Sequence, residues 1–260
     1  MISSFIAEPS FPCVGAKSAL NKQRMRFGHY AALCDEAGVV EQCDALHAFS
    51  SEFPEPGAIP VSFVATYGAL DVNEVDFESL MWRHLQLMHD ADSQRFEWDK
   101  SVSADPAHKD FSFSIGGRAF FVVGLHPNAS RLARRAPLAC LVFNFHEQFA
   151  DLKASGKYGN MQAVIRARDT DLQGSLNPVL ARFGDASEAR QYSGRAVEED
   201  WVCPFRSVRP FRSFRPFLPS SPSSSTSLSS PGAPEAFELQ VETTDVKVLY
   251  AMADRVEHAA

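Results

Sequence analysis

A handful of side chains in this sequence have the type and setting to do chemistry. Cys13 closes the run Phe11-Pro12-Cys13 just ahead of a helical stretch. Sulfur at a helix N-terminus meets the positive end of the backbone dipoles, which predicts a lowered thiol pKa and an available thiolate. His126 stands at the end of an apolar run over 119–125, and Pro127 behind it forces a turn. Strand ends of this kind present a side chain from a rigid platform into a cleft. His146 opens a predicted helix, with Asn144 as its expected N-cap. Arg118, Arg131 and Arg195 carry planar guanidinium forks that match a carboxylate with two parallel hydrogen bonds. Glu147 and Asp99, with Glu97 nearby, are the matching acids that could hold a cation.

Other chemistries lack their residues. The chain has no Gly-x-Ser-x-Gly elbow and no His-Glu-x-x-His helix; Asn144-Phe145-His146-Glu147 supplies only the first two letters. Five cysteines (Cys13, Cys34, Cys43, Cys140, Cys203) are scattered without a C-x-x-C pair, which argues against a zinc ribbon or thioredoxin-like site. Their odd number and the absence of a leader-like N-terminus predict a reducing, cytoplasmic setting. No Gly-rich nucleotide loop or flavin or nicotinamide fingerprint is present, so any redox reaction needs electrons from outside.

The elements that must position these residues read as an α+β domain. A helix is predicted near Cys13. A second runs from Asp71 or Asn73 to Asp90, with Phe77, Leu80, Met81, Leu85 and Met88 at helical spacing and Asn73 as cap. Phe111, Phe113 and Ile115 alternate with Ser112 and Ser114, and Gly116-Gly117 offers a two-residue turn into a second strand. A nearly all-apolar strand over 138–145 is expected at the centre of the sheet. Two helices follow, marked by Phe145, Phe149 and Leu152 and by Met161, Val164, Ile165 and Leu172. The expected architecture is a small antiparallel sheet with a central hairpin, packed by helices from the N- and C-terminal sides.

Residues 9–205 form one predicted globular domain. Composition changes after it: 206–234 is rich in Pro, Ser and Arg, with Arg206, Arg209, Arg212 and Arg215 at every third position. That segment is predicted to be a disordered linker or tail, and 235–260 to return as a short element. The net charge of −7 provides no basic field for phosphates, so nucleic acid is not an expected partner. No stretch reaches the roughly 20 apolar residues of a membrane helix.

Several blocks resemble the YqcI/YcgG family when taken in order. They are Phe11-Pro12-Cys13-Val14-Gly15-Ala16, Phe96-Glu97-Trp98-Asp99, Phe111-Ser112-Phe113-Ser114 and Gly124-Leu125-His126-Pro127-Asn128-Ala129-Ser130-Arg131. Asn144-Phe145-His146-Glu147-Gln148-Phe149, Gly174-Ser175-Leu176-Asn177-Pro178, Gln191-Tyr192-Ser193-Gly194-Arg195 and Trp201-Val202-Cys203-Pro204-Phe205 complete the set. The resemblance implies a haem-dependent enzyme of the pre-guanitoxin N-hydroxylase branch, an oxidoreductase that hydroxylates a guanidino or amine nitrogen of a small molecule. It further implies haem b as cofactor and an external reductase as electron donor. A non-catalytic haem carrier or sensor, and a metal-free small-molecule-binding module, are the alternatives.

Under that resemblance the residues take roles. His126 is the first candidate for the axial iron ligand, with His146 and Cys13 as alternatives. His84, on the apolar face of its helix, is expected to be a core histidine. Arg118, Arg131 and Arg195 are the candidate partners of the haem propionates. Glu147 and Asp99 are the candidate acids for the substrate cation, with Trp98 or Tyr192 either stacking on it or filling core.

Overall fold

The computed structural model describes residues 1–180 and 185–207. Its sheet has five strands: β1 (Met25–Tyr30), β2 (Ser62–Tyr67), β3 (Phe113–Ile115), β4 (Arg118–Leu125) and β5 (Cys140–Phe145), in the order β1-β2-β5-β4-β3. The helices are α1 (Ile2–Ala7), α2 (Val14–Asn21), α3 (Glu36–Glu52), α4 (Glu74–Asp92), α5 (His146–Ala154), α6 (Tyr158–Gln173) and α7 (Ala189–Tyr192). The α+β architecture is as expected. The sheet is antiparallel from β2 through β5 and β4 to β3, but β1 and β2 run parallel. The cause is the connection: α3 carries the chain back across the sheet between them, and only a crossover of that length joins parallel neighbours.

The predicted hairpin forms with a two-residue loop, but at one edge of the sheet rather than at its centre, which β5 occupies. Ile115 pairs with Arg118, and Gly116 and Gly117 have φ of 63° and 73°. A turn with both central residues in the left-handed region suits glycine and matches the twist of the strands it joins. Asp92, at the end of α4, fastens the turn by accepting the Gly116 N–H on both carboxylate oxygens at 3.0 Å. The expected in-and-out alternation before the turn is absent, because Phe111, Ser112, Phe113, Ser114 and Ile115 are all buried. Ser114 is satisfied there by the Asp99 N–H at 3.0 Å.

Side chains alternate between two dissimilar faces of the sheet. Phe63, Ala65 and Tyr67 of β2, Phe120 and Val122 of β4, and Leu141, Phe143 and Phe145 of β5 belong to the larger core, with α3 and α4 packed over it. Phe49 stacks on Phe145 with ring centroids 4.8 Å apart. His84 sits in this core as expected: Tyr67 Oη lies 3.1 Å from His84 Nε2, and the Cys34 N–H donates to Nδ1 at 3.0 Å. Burial pushes the His84 pKa down to about 4. Trp98 and Tyr192 also fill core, among Phe111, Phe205 and Trp82.

The opposite face holds a smaller cluster that includes Ile2, Ile6, Phe11, Met25, Val64, Leu125 and Cys140. There α1, α2, α5 and α6 enclose space rather than filling it. From residue 208 onward, the expected Pro/Ser/Arg-rich tail and the element over 235–260 lie outside the described residues.

Candidate functional site

A cavity of about 320 Å³ lies between this second face and its helices. Apolar side chains make most of its wall, among them Ile2, Phe5, Ile6, Phe121, Val123, Leu125, Val142, Phe149 and Ile165. A mostly apolar enclosure with a few placed polar groups is the usual form of a small-molecule or cofactor site. The polar groups here are Cys13, Ser62, Arg131, Arg134, Arg166, Asp169, Asn144, Gln148, Asn177 and Gln191.

Cys13 is the N-cap of α2, and its sulfur accepts the Ala16 N–H at 3.4 Å. The expected thiol pKa shift is reversed. Burial raises it, and this outweighs the Ala16 and Gly15 backbone donors and the Arg134 charge, all of which lower it. Desolvation of a charge costs more than one helix terminus returns. Arg134 is held by three carbonyls: Gly124 at 2.9 Å, Tyr192 at 3.2 Å and Gln191 at 3.1 Å. Burial brings its guanidinium pKa down to about 10, and the neighbouring Cys13 and Asp169 oppose that fall.

Arg131 donates to Asp169 Oδ2 at 2.6 Å, to the Ser175 carbonyl at 2.6 Å and to Ser175 Oγ at 3.1 Å. Asp169 is buried, and its Oδ1 has no hydrogen-bond partner among the described residues.

The remaining predicted residues stand elsewhere. His126 directly follows β4, as expected, but it is 2% exposed and its ring stacks on Phe77 at 4.3 Å, on the α4 side. Its Nδ1 has no hydrogen-bond partner among the described residues. Burial lowers its pKa, against the Glu74 charge. His146 is the first residue of α5 and half-buried, and burial lowers its pKa too, against Asp99 and Asp110. Its expected cap is absent: Phe145 is the N-cap, and Asn144 instead accepts from Ser62 Oγ at 2.7 Å and donates to the Phe121 carbonyl at 3.3 Å. Neither histidine lines the cavity.

Arg118 is engaged by the Ser50, Phe53 and Pro54 carbonyls and by Glu147, with its guanidinium 4.1 Å from the centre of the Phe145 ring. Asp99 accepts the Ser101 N–H at 2.8 Å and the Ala119 N–H at 2.8 Å, which ties the 97–101 loop to β4. Arg195 bridges Glu78, at 3.1 Å, and Glu198, at 2.8 Å. Of the eight predicted site residues, the fold brings Cys13 and Arg131 to the cavity and leaves the other six off its wall.

Residues 2–206 match the model of the YqcI/YcgG family. This chain belongs to the YqcI/YcgG family. It is similar to "Uncharacterized protein YcgG" of Bacillus subtilis (strain 168), 27% identical over 207 residues that span 75% of this chain and 81% of the relative. No solved structure gives a significant match.

Five of the family-like blocks converge on the cavity although they are far apart in sequence. They supply Phe11, Pro12 and Cys13; Leu125 and Arg131; Asn144, Gln148 and Phe149; Asn177; and Gln191. Arg134 and Asp169 belong to none of the blocks. Asp169 did leave a signal. Met161, Ile165 and Asp169 fall four residues apart on α6, so a carboxylate continues an apolar stripe. Val164, assigned to that stripe by periodicity, is instead 47% exposed.

Proposed function

We propose that the cavity takes up haem b, whose iron Cys13 would hold, and that the protein is a haem-dependent N-hydroxylase of a guanidino or amine nitrogen. The observation that carries this reading is the position of Cys13. Of the three residues with a suitable donor atom named from the sequence, it alone lines the apolar cavity on which the family-like blocks converge. The donor set fits the group. The Cys13 sulfur lies on the wall of an apolar enclosure, and Arg131 and Arg166 on the same wall would be the cations to meet the propionates.

When bound, a thiolate-ligated haem supplies the reductive activation of dioxygen. In the overall reaction one oxygen atom enters an N–H bond and the other leaves as water, with two electrons and two protons drawn from an external reductase and solvent. The protein's own contribution is to bind, orient and exclude water. Ala16 N–H holds the Cys13 sulfur in place, and the Arg134 charge favours its deprotonated form. The apolar walls from α1, β4 and α6 keep bulk water from the reacting atoms. Because burial raises the Cys13 thiol pKa, ligation displaces a proton, so haem affinity should rise with pH over the neutral range.

A spectrum of the haem-loaded protein, reduced and exposed to carbon monoxide, tests the assignment. A band near about 450 nm is expected for thiolate, and one near about 420 nm would mean histidine. Cys13→Ala should abolish the first band, whereas His126→Ala and His146→Ala should keep it. A band at the shorter wavelength that disappears with either histidine overturns the reading. Substrate-dependent oxygen consumption with a reductase, giving a product heavier by one oxygen atom, separates an oxygenase from a haem carrier.

A further inference from the structure

A cationic substrate needs an anion in the site, and the two acids expected from the sequence are engaged away from the cavity. Glu147 pairs with Arg118, and Asp99 ties its loop to β4. Asp169 differs on three counts. It is the acidic side chain on the cavity wall among the described residues, it is 7% exposed, and it uses one oxygen for Arg131 while the other accepts no hydrogen bond. A buried carboxylate oxygen without a donor is costly, and a ligand N–H would relieve that cost. The nearby cations do not supply it: Arg134 donates to three carbonyls, Arg131 to Asp169 Oδ2 and Ser175, and Arg166 to the Leu180 carbonyl.

We infer that Asp169 anchors the substrate, its Oδ1 accepting an N–H of a guanidinium or ammonium headgroup while Oδ2 stays on Arg131. Arg131, itself held by both the carbonyl and the hydroxyl of Ser175, is a positioning residue that fixes the carboxylate's orientation. The substrate chemistry named here rests on the proposed function; the unpartnered oxygen on the cavity wall does not depend on haem. A carboxylate shared between an arginine and a guanidinium ligand selects for charge and for a planar donor edge. It therefore discriminates against a neutral molecule of the same shape.

Isothermal titration of the full chain with butylguanidinium and with its neutral isostere butylurea tests the anchor, before and after haem loading. Wild type should prefer the cation by about tenfold or more. Asp169→Asn should remove that preference while leaving the Soret spectrum of the loaded protein unchanged, and Glu147→Gln should keep it. If the single change prevents folding by stranding Arg131, the double change R131Q/D169N removes both charges of the buried pair and should also lose the preference. Retention of the preference in either Asp169 variant, its loss in Glu147→Gln, or a wild type that does not discriminate overturns the inference. A protein that takes up no haem yet shows an Asp169-dependent preference sinks only the haem reading.

Discussion

Glu188 is 2% exposed, and its Oε2 has no hydrogen-bond partner among the described residues. Burial pushes its pKa up to about 8. A carboxyl that holds its proton more tightly folded than unfolded adds stability at low pH, below its ordinary value near about 4.3. That contribution is lost as pH rises through about 8. Glu188→Gln keeps the shape and removes the titration. Thermal melts between about pH 5 and about pH 9 should show wild type losing stability relative to the variant, with a gap on the order of a few kcal/mol at the alkaline end. Parallel profiles would mean that Glu188 is ionised and solvated in the folded protein. Cys13 and Arg134 obey the same balance, since burial dominates each and the neighbouring charges act as corrections.

Helix ends show where local chemistry is enough. Asn73 caps α4 by accepting the Asp76 N–H on its side-chain oxygen at 2.9 Å. Asn73→Ala should destabilise the protein by about 1 kcal/mol, measured by chemical denaturation, while Asn73→Ser stays near wild type. Equal losses in both variants would argue that the cap bond contributes nothing. This cap, the Gly116-Gly117 hairpin and the start of α2 were legible because each is settled within a few residues. The β1–α3–β2 crossover was not. Met25–Tyr30 has no clean alternation, since it lies at the sheet edge with Phe27 49% exposed, and α3 carries only a shallow apolar stripe. Whether such segments pair is decided by a partner about forty residues away.

Two adjacent valines on β4 report the asymmetry of the whole molecule. Val122 is fully buried in the larger core, and Val123 faces the cavity. Val122→Ala leaves a void among close-packed rings and should cost about 2 kcal/mol. Val123→Ala only enlarges existing space and should cost less than about 1 kcal/mol, because few packed neighbours are lost. Denaturant melts of the two variants give the comparison directly, and equal costs would mean that the second face is as tightly packed as the first. Ligand binding should then act unevenly, restoring contacts on the hollow face and raising the melting temperature.

The sequence by itself determined the α+β class, the hairpin, the α4 helix and the blocks that mark the YqcI/YcgG family, because each rests on local spacing or on the ordered match along the chain. It also named Cys13 and Arg131. Only the tertiary structure decided which candidates share a space. His126 turns toward Phe77, Arg118 closes on Glu147 and Asp99 on Ala119, while Cys13, Arg134 and Asp169 meet across a sheet face from three distant segments. The physical reason is that a side chain's charge and type are written in one residue. Its solvation and partners are set by long-range packing, which no short window of the chain contains.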